Sequence, residues 1–471
     1  MPQIEKHYNL IKAVSANTIS SLFINGITFL VLPLFTRLLS TTEYGVYGIY
    51  SSYFSIYEII IIFGGLSTVK IAKFTDSLDY DTYVSTILFV PVFFTLFFAI
   101  ITNIGLCFTK EIFLLDRLLW NFLFVTGLFA TLSNIICSKF VVDGEFKYKI
   151  VYSAIHVIIN ISLSLIICYS SFFVNEKYMS RVIGMLVSYI IPFWYIFFKI
   201  KVRKVNFIYL KTFFTWATPL FFHTIATILI VQSDRLVLKS IKDFSSVGVY
   251  TIATTLATIP MTIQASVENS WSPWFLRKLH SKDFDSIVLV NNFCISIFGF
   301  FIAFFIVVTP DVIHIFTNKN YWEAAYILPP LSITAFAEML YCLPVNLEFY
   351  NKKTNFVCFG TIIALCINII LDYIFISCFD IQGAAYATAL SRFLLFLLHY
   401  LIAKRIEKNK IMSFLLAIIA CVCLLGINYI TLRFLNNIFI RYLFFIIIGG
   451  LFVVYVRRNI KVLKLMRGND E

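Results

Sequence analysis

The sequence predicts an all-α polytopic membrane protein of about fourteen transmembrane helices. They form two six-helix lobes, related by a pseudo-two-fold axis along the membrane normal, plus two C-terminal helices. Three observations carry this. Of 471 residues, 60% are hydrophobic and 13% charged, and mean hydropathy is +0.88, whereas a soluble domain has about 25% charged residues. The charges gather between apolar runs of roughly 20 residues, the length a helix needs to cross about 30 Å of hydrocarbon. One layout also occurs twice. A helix containing Pro33 leads to Arg37 and then Gly45-Val46-Tyr47, and a helix containing Pro219 leads to Arg235 and then Gly248-Val249-Tyr250, 203 residues later.

Taken in order, the apolar runs fall near 13–36, 45–66, 83–107, 118–138, 149–173, 181–198 and 212–232, then near 247–268, 287–308, 326–347, 356–378, 383–402, 411–431 and 438–456. Met1 to Lys12 is polar, and the run behind it continues to Leu39 with no short apolar core and cleavage site, so the first span is expected to be retained. Basic residues test the orientation. With the N-terminus inside, 26 Lys and Arg fall on the cytoplasmic side and 11 on the other, with Arg392 left inside a span. Both termini are therefore expected in the cytoplasm. The net charge of +13 then follows from basic loops facing an anionic leaflet and requires no nucleic acid.

The most basic segment, KIKVRKVNFIYLK at 199–211, stands where the repeat begins again and reads as a linker. The expected divisions are a lobe at 1–198, the linker at 199–211, a lobe at 212–402, and two extra helices with a basic tail at 403–471. The repeat continues inside the lobes: Glu145 and Glu348 precede the fifth and eleventh spans, again 203 residues apart, and Asn160 and Asn368 lie within those spans. An even number of spans separates the copies, so the two halves share one orientation. The ten cysteines sit in or beside apolar runs with no C-x-x-C pair, which reads as small buried hydrophobes rather than a metal or disulfide framework.

The segments RLLSTTEYGVYGIY, SDRLVLKSIKDFSSVGVYTIATTLATIP and NIILDYIFISCFDIQGAAYATALS together resemble the polysaccharide-transporter branch of the MOP superfamily, the bacterial O-antigen and capsule-unit (Wzx-like) flippases. These are relatives of the MATE exporters and the lipid II flippase. The resemblance implies a MATE-like, V-shaped pair of lobes around a cavity that opens alternately to each side of the bacterial inner membrane. It implies a polyprenyl-pyrophosphate-linked oligosaccharide as substrate, with surrounding lipid and polysaccharide polymerase machinery as partners. No cofactor is expected, and a proton or sodium gradient is the expected drive.

A sugar head group pays heavily for entering hydrocarbon without replacement hydrogen bonds, and pyrophosphate calls for Arg or Lys donors. Polar groups within spans are thus the first candidates. Arg392 lies nine residues past Gly383, about 13 Å along a helix and so near the midplane, with Glu338 or Asp372 as its ion-pair candidates. His399, at i+7, shares its face. Arg37 and Arg235 end corresponding helices, as head-group contacts or as side chains reaching the interface. Glu58 and Glu338, each about a dozen residues into a span, are candidates for ion coupling, with Asp372 and His223 beside them. His156 reads as a packing residue. Pro33, Pro219 and Pro260 mark bend points, and Trp271 and Trp274, near Arg277 and Lys278, read as an interfacial anchor.

Enzymatic readings fare poorly. The loops, at most about 15 to 17 residues, are too short for a soluble catalytic domain, and the sequence has no Walker motif or metal-ligand spacing. The alternatives are other transporters. One is a MATE-type cation-coupled drug exporter, against which the first span lacks an acidic residue; the other is a lipid II flippase.

Overall fold

The computed structural model describes residues 26–75, 78–459 and 462, so the first half of the expected 13–36 span and most of the basic tail lie outside the described residues. Thirteen helical runs among the described residues are long and apolar enough to cross a membrane. An apolar helix α1 (Gly26–Leu38) precedes them. By contacts the chain divides into Met1–Leu236 and Val237–Glu471.

In the first unit, α2 (Thr41–Ile62) starts where Ser40 and Glu43 form a capping box. The Glu43 amide donates to Ser40 Oγ at 3.2 Å, and the Ser40 amide donates back to the Glu43 carboxylate at 2.8 Å. The expected 45–66 span is broken at Phe63 and Gly64, both left-handed at φ 47° and 74°, and continues as α3 (Gly65–Lys73). A Cβ on Gly64 would stand 2.9 Å from the Ala217 carbonyl oxygen, so both dihedral and close approach demand glycine here. Beneath this hinge lies an apolar cluster that includes Tyr83, Ile87, Ile135, Phe140, Phe193 and Phe213.

The third span is likewise two helices, α4 (Tyr80–Ile87) and α5 (Phe89–Gly105). A two-residue-per-strand hairpin, β1 (Glu111–Ile112) with β2 (Leu115–Asp116), leads into α6 (Arg117–Val142). α7 (Phe146–Tyr169) and α8 (Tyr178–Phe197) follow. Phe93, Leu96, Phe97, Ile100 and Ile104 of α5 are exposed. In a chain of this composition such an apolar face is the surface offered to lipid. At one end of the unit, Lys73 reaches Asp143 at 2.5 Å, and Lys139 reaches Asp81 at 2.9 Å and Asp143 at 2.7 Å.

The 199–211 segment is only partly a linker. Residues 201–206 are non-helical, with the Arg203 amide donating to Ser85 Oγ at 2.9 Å and the Asn206 amide to Thr86 Oγ1 at 3.1 Å. From Phe207 the chain is α9 (Phe207–Ile241). This helix runs unbroken through Ser233-Asp234-Arg235, where the sequence suggested a helix end, and the division between units falls inside it. Its first half packs by Phe213 and Ala217 into the cluster under the α2–α3 hinge.

In the second unit, α10 (Phe244–His280) and α11 (Phe284–Phe316) both outrun the expected 247–268 and 287–308 spans. Trp271 and Trp274 correct the interfacial-anchor reading: they are 2% and 8% exposed, and the Trp271 indole donates to Asn291 Oδ1 at 2.8 Å. The polar residues around them are spent on interhelical hydrogen bonds, as where Ser272 donates to Asn346 at 2.6 Å. The nearly wholly buried α12 (Ala324–Tyr350) forms the centre of this unit and packs on α10, α11 and α14.

α13 (Thr354–Phe379) turns into α14 (Ile381–Ile406) so tightly that a Cβ on Gly383 would meet the Phe375 carbonyl oxygen at 2.0 Å. The last helices, α15 (Phe414–Arg433) and α16 (Ile438–Arg458), pack against α11. Arg441 fastens α16 there with a two-pronged pair to Asp311, both contacts 2.8 Å, and a third bond to the Val307 carbonyl at 3.1 Å.

Candidate functional site

Apolar surroundings tolerate a charge only where it is paired or hydrogen-bonded. In the second unit such groups collect on α12 and the helices around it. Arg392 of α14 donates to Glu338 of α12 at 3.0 Å, which decides between the two carboxylates the sequence offered. Arg392 is 5% exposed, and its Nε has no partner. A guanidinium has five N–H donors, so it keeps hydrogen-bonding capacity beyond this one pair. Glu338 is only partly buried, its side chain 23% exposed.

Further along the same two helices, His399 Nδ1 meets Glu348 Oε1 at 2.8 Å, and both side chains are fully buried. His399 therefore shares the α12–α14 interface with Arg392, as its i+7 spacing suggested, but serves a different carboxylate. Its Nε2 faces Gly360 of α13, where a Cβ would stand 2.5 Å away. One turn from Glu338 on α12, the Cys342 thiol donates at 3.0 Å to Glu268 of α10, which also accepts from Gln264 Nε2 at 3.2 Å. Asn368 and Asp372, one turn apart on α13, are wholly buried.

The other candidates lie in the first unit. Arg37, near the end of α1, is exposed. Arg235 is half-buried within α9 and donates to Gln232 at 2.9 Å and to Ser52 Oγ at 3.3 Å. Asp234 beside it is buried. Glu58 on α2 accepts from the Asn134 amide of α6, and His223 sits half-buried on α9. His156 contacts the Ser188 carbonyl at 3.1 Å and packs against Tyr189 at a tilt, with ring centres 4.3 Å apart. The structure thus joins Arg392 with Glu338, places His399 on the same interface, and leaves Glu58, Arg37 and Arg235 in the other unit.

Several polar groups escaped the sequence reading. Glu348 stood out only as a repeat position, although its spacing to Lys352 and Lys353 put it at a helix end where burial is not expected. Glu268 lies at the edge of the expected span, one turn from Gln264, and that i, i+4 pair was its only signal. Arg181 and Arg441 counted as helix-end cations, yet both are buried, at 8% and 2% exposure.

Residues 10–278 match the family described as polysaccharide biosynthesis protein. The chain belongs to this family. No curated protein matches it by sequence. Among solved structures it is similar to the lipid II flippase MurJ in an inward closed conformation, at 18% identity and TM-score 0.69, over 94% of this chain and 99% of that one. It is also similar to an inward-facing multidrug resistance MATE family transporter of the MOP superfamily, at 11% identity and TM-score 0.60, over 80% and 97%. A third likeness is to a MOP superfamily transporter from Pyrococcus furiosus, at 13% identity and TM-score 0.52, over 84% and 95%. At these identities the likeness shows the fold, which is that of the MOP superfamily transporters.

Proposed function

We propose that the chain is a flippase for polyprenyl-pyrophosphate-linked oligosaccharide repeat units, the precursors of O-antigen, capsule or exopolysaccharide. It carries them by alternating access from the cytoplasmic to the outer leaflet of the bacterial inner membrane, with both its own termini in the cytoplasm. The observation that supports this reading most is a pairing. The chain belongs to a polysaccharide biosynthesis family, yet most of its described length lies in helices long and apolar enough to cross a membrane. Long spanning helices joined by short segments suit a transporter, so the contribution to that pathway is read as transport rather than bond formation.

In this reading Arg392, with donors left over beyond Glu338, is the leading pyrophosphate contact, supported by Arg37 and Arg235. His399 holds α14 in place through Glu348. Glu58, Glu338, Asp372 and His223 are the coupling residues through which a proton or sodium gradient drives the cycle. Its partners are the lipid-linked substrate, the bilayer and the polymerase machinery that consumes the delivered units.

The test is reconstitution of the full chain into proteoliposomes with a fluorescent polyprenyl-pyrophosphate glycan. The protein should move label between leaflets, and Arg392→Ala should stop the movement while the protein stays inserted. Transport of cationic dyes with no movement of the glycolipid would overturn the proposal in favour of a drug exporter.

A further inference from the structure

The first unit buries a cation that forms no ion pair with a carboxylate among the described residues. Arg181, on the first turn of α8, lies with its guanidinium 4.1 Å from the centre of the Phe35 ring and 4.8 Å from that of Tyr47. One terminal nitrogen donates to the Tyr47 hydroxyl at 3.3 Å, and Nε has no partner. None of the ion pairs among the described residues includes it. Glu43, at the start of α2, is already engaged: its carboxylate accepts from Ser40 and from the Lys177 amide, at 2.8 and 2.9 Å.

Arg181 lines a cavity of about 50 Å³ together with Tyr44, His156 and Asn160, and α1 closes it with Leu32 and Phe35. Aromatic faces offset part of the cost of a buried guanidinium, but a full charge at 8% exposure in apolar surroundings calls for a counter-charge. The cavity's size limits what that can be. One water needs about 10–15 Å³ of such space, so the cavity takes a small ion with a few waters beside it. Asn160 accepts from Ser164 through Oδ1 at 3.5 Å, which leaves its amide nitrogen as a donor on the cavity wall.

We propose that this cavity is a binding site for a small monovalent anion of chloride size, held by Arg181 with Asn160 as an additional donor. The bound ion neutralises the guanidinium and ties together the four helices that line the site, α1, α2, α7 and α8. The site lies within one unit and is separate from the α12–α14 charges, so it does not depend on the flippase reading.

The test is thermal unfolding of the purified full chain as chloride replaces gluconate at constant ionic strength. The midpoint should rise saturably by about 2–4 °C, and bromide should act like chloride. Arg181→Gln should abolish the rise, and Arg181→Lys should retain it. Should Arg181→Gln fail to fold, Asn160→Ala reports instead, moving half-saturation to higher chloride. A wild-type midpoint indifferent to the exchange, a rise that persists in Arg181→Gln, or an unmoved half-saturation in Asn160→Ala overturns the proposal.

Discussion

Replacing Arg392 by Met keeps most of the side chain's length but leaves the Glu338 carboxylate without its 3.0 Å partner. Breaking a fully buried ion pair costs about 3–5 kcal/mol. Glu338 keeps 23% of its side chain exposed while Arg392 keeps 7%, so water recovers part of the loss and about 2–4 kcal/mol is expected. Glu338→Gln alone strands the arginine instead and should cost a similar amount. The double variant Arg392→Met/Glu338→Gln removes both charges and should return to within about 1 kcal/mol of wild type. Transport should behave differently, because on the proposed function the double variant lacks both the cation that meets pyrophosphate and one of the coupling carboxylates. Denaturant unfolding in mixed micelles, paired with glycolipid flipping in proteoliposomes, separates the two roles. A double variant that recovers both stability and flipping would make Arg392 purely structural; an Arg392→Met protein as stable as wild type would refute the energetic reasoning.

Gly360→Ala should destabilise by about 1–3 kcal/mol by overpacking, because the new methyl would meet His399 Nε2 at 2.5 Å. His399→Ala strands the buried Glu348 and is costly by itself, so relief of the clash should show as non-additivity: Gly360→Ala costs less in the His399→Ala background than in wild type when both are followed by denaturant unfolding. Arg441→Ala removes both contacts to Asp311 and the bond to Val307, and should cost about 2–4 kcal/mol with faster proteolysis around α16. Phe113 and Leu114 both adopt positive φ, 49° and 66°, at a two-residue hairpin tip where Asn-Gly fits best. Phe113→Asn/Leu114→Gly should therefore raise stability by about 1 kcal/mol, read as a higher unfolding midpoint.

The spans were legible because burial in lipid forces continuous apolar runs, and α13 and α14 lie where 356–378 and 383–402 were expected. Breaks and extensions were harder to see. Phe63-Gly64 interrupts an apolar run without any polar residue, and only the approach of Ala217 makes the glycine necessary. α10 continues past Glu268 through a stretch rich in serine and asparagine that looks like a loop. Its polar groups are paid for by Asn291 and Asn346, partners 20 and 74 residues away in sequence. The site followed the same pattern. A lone arginine within a span announced Arg392, and a mid-span carboxylate announced Glu338. Arg181, Arg441 and Glu348 lie near helix ends, where sequence alone does not distinguish a side chain reaching water from one folded inward.

Delivery of lipid-linked oligosaccharide to the outer leaflet by this chain is tested most directly by the sidedness of that lipid in cells depleted of the protein, read by accessibility of the glycan to a membrane-impermeant enzyme. Complete units trapped on the cytoplasmic leaflet, with surface polymer lost and restored by wild type but not by Arg392→Ala, are the predicted result. Normal surface polymer with raised sensitivity to cationic drugs would contradict it.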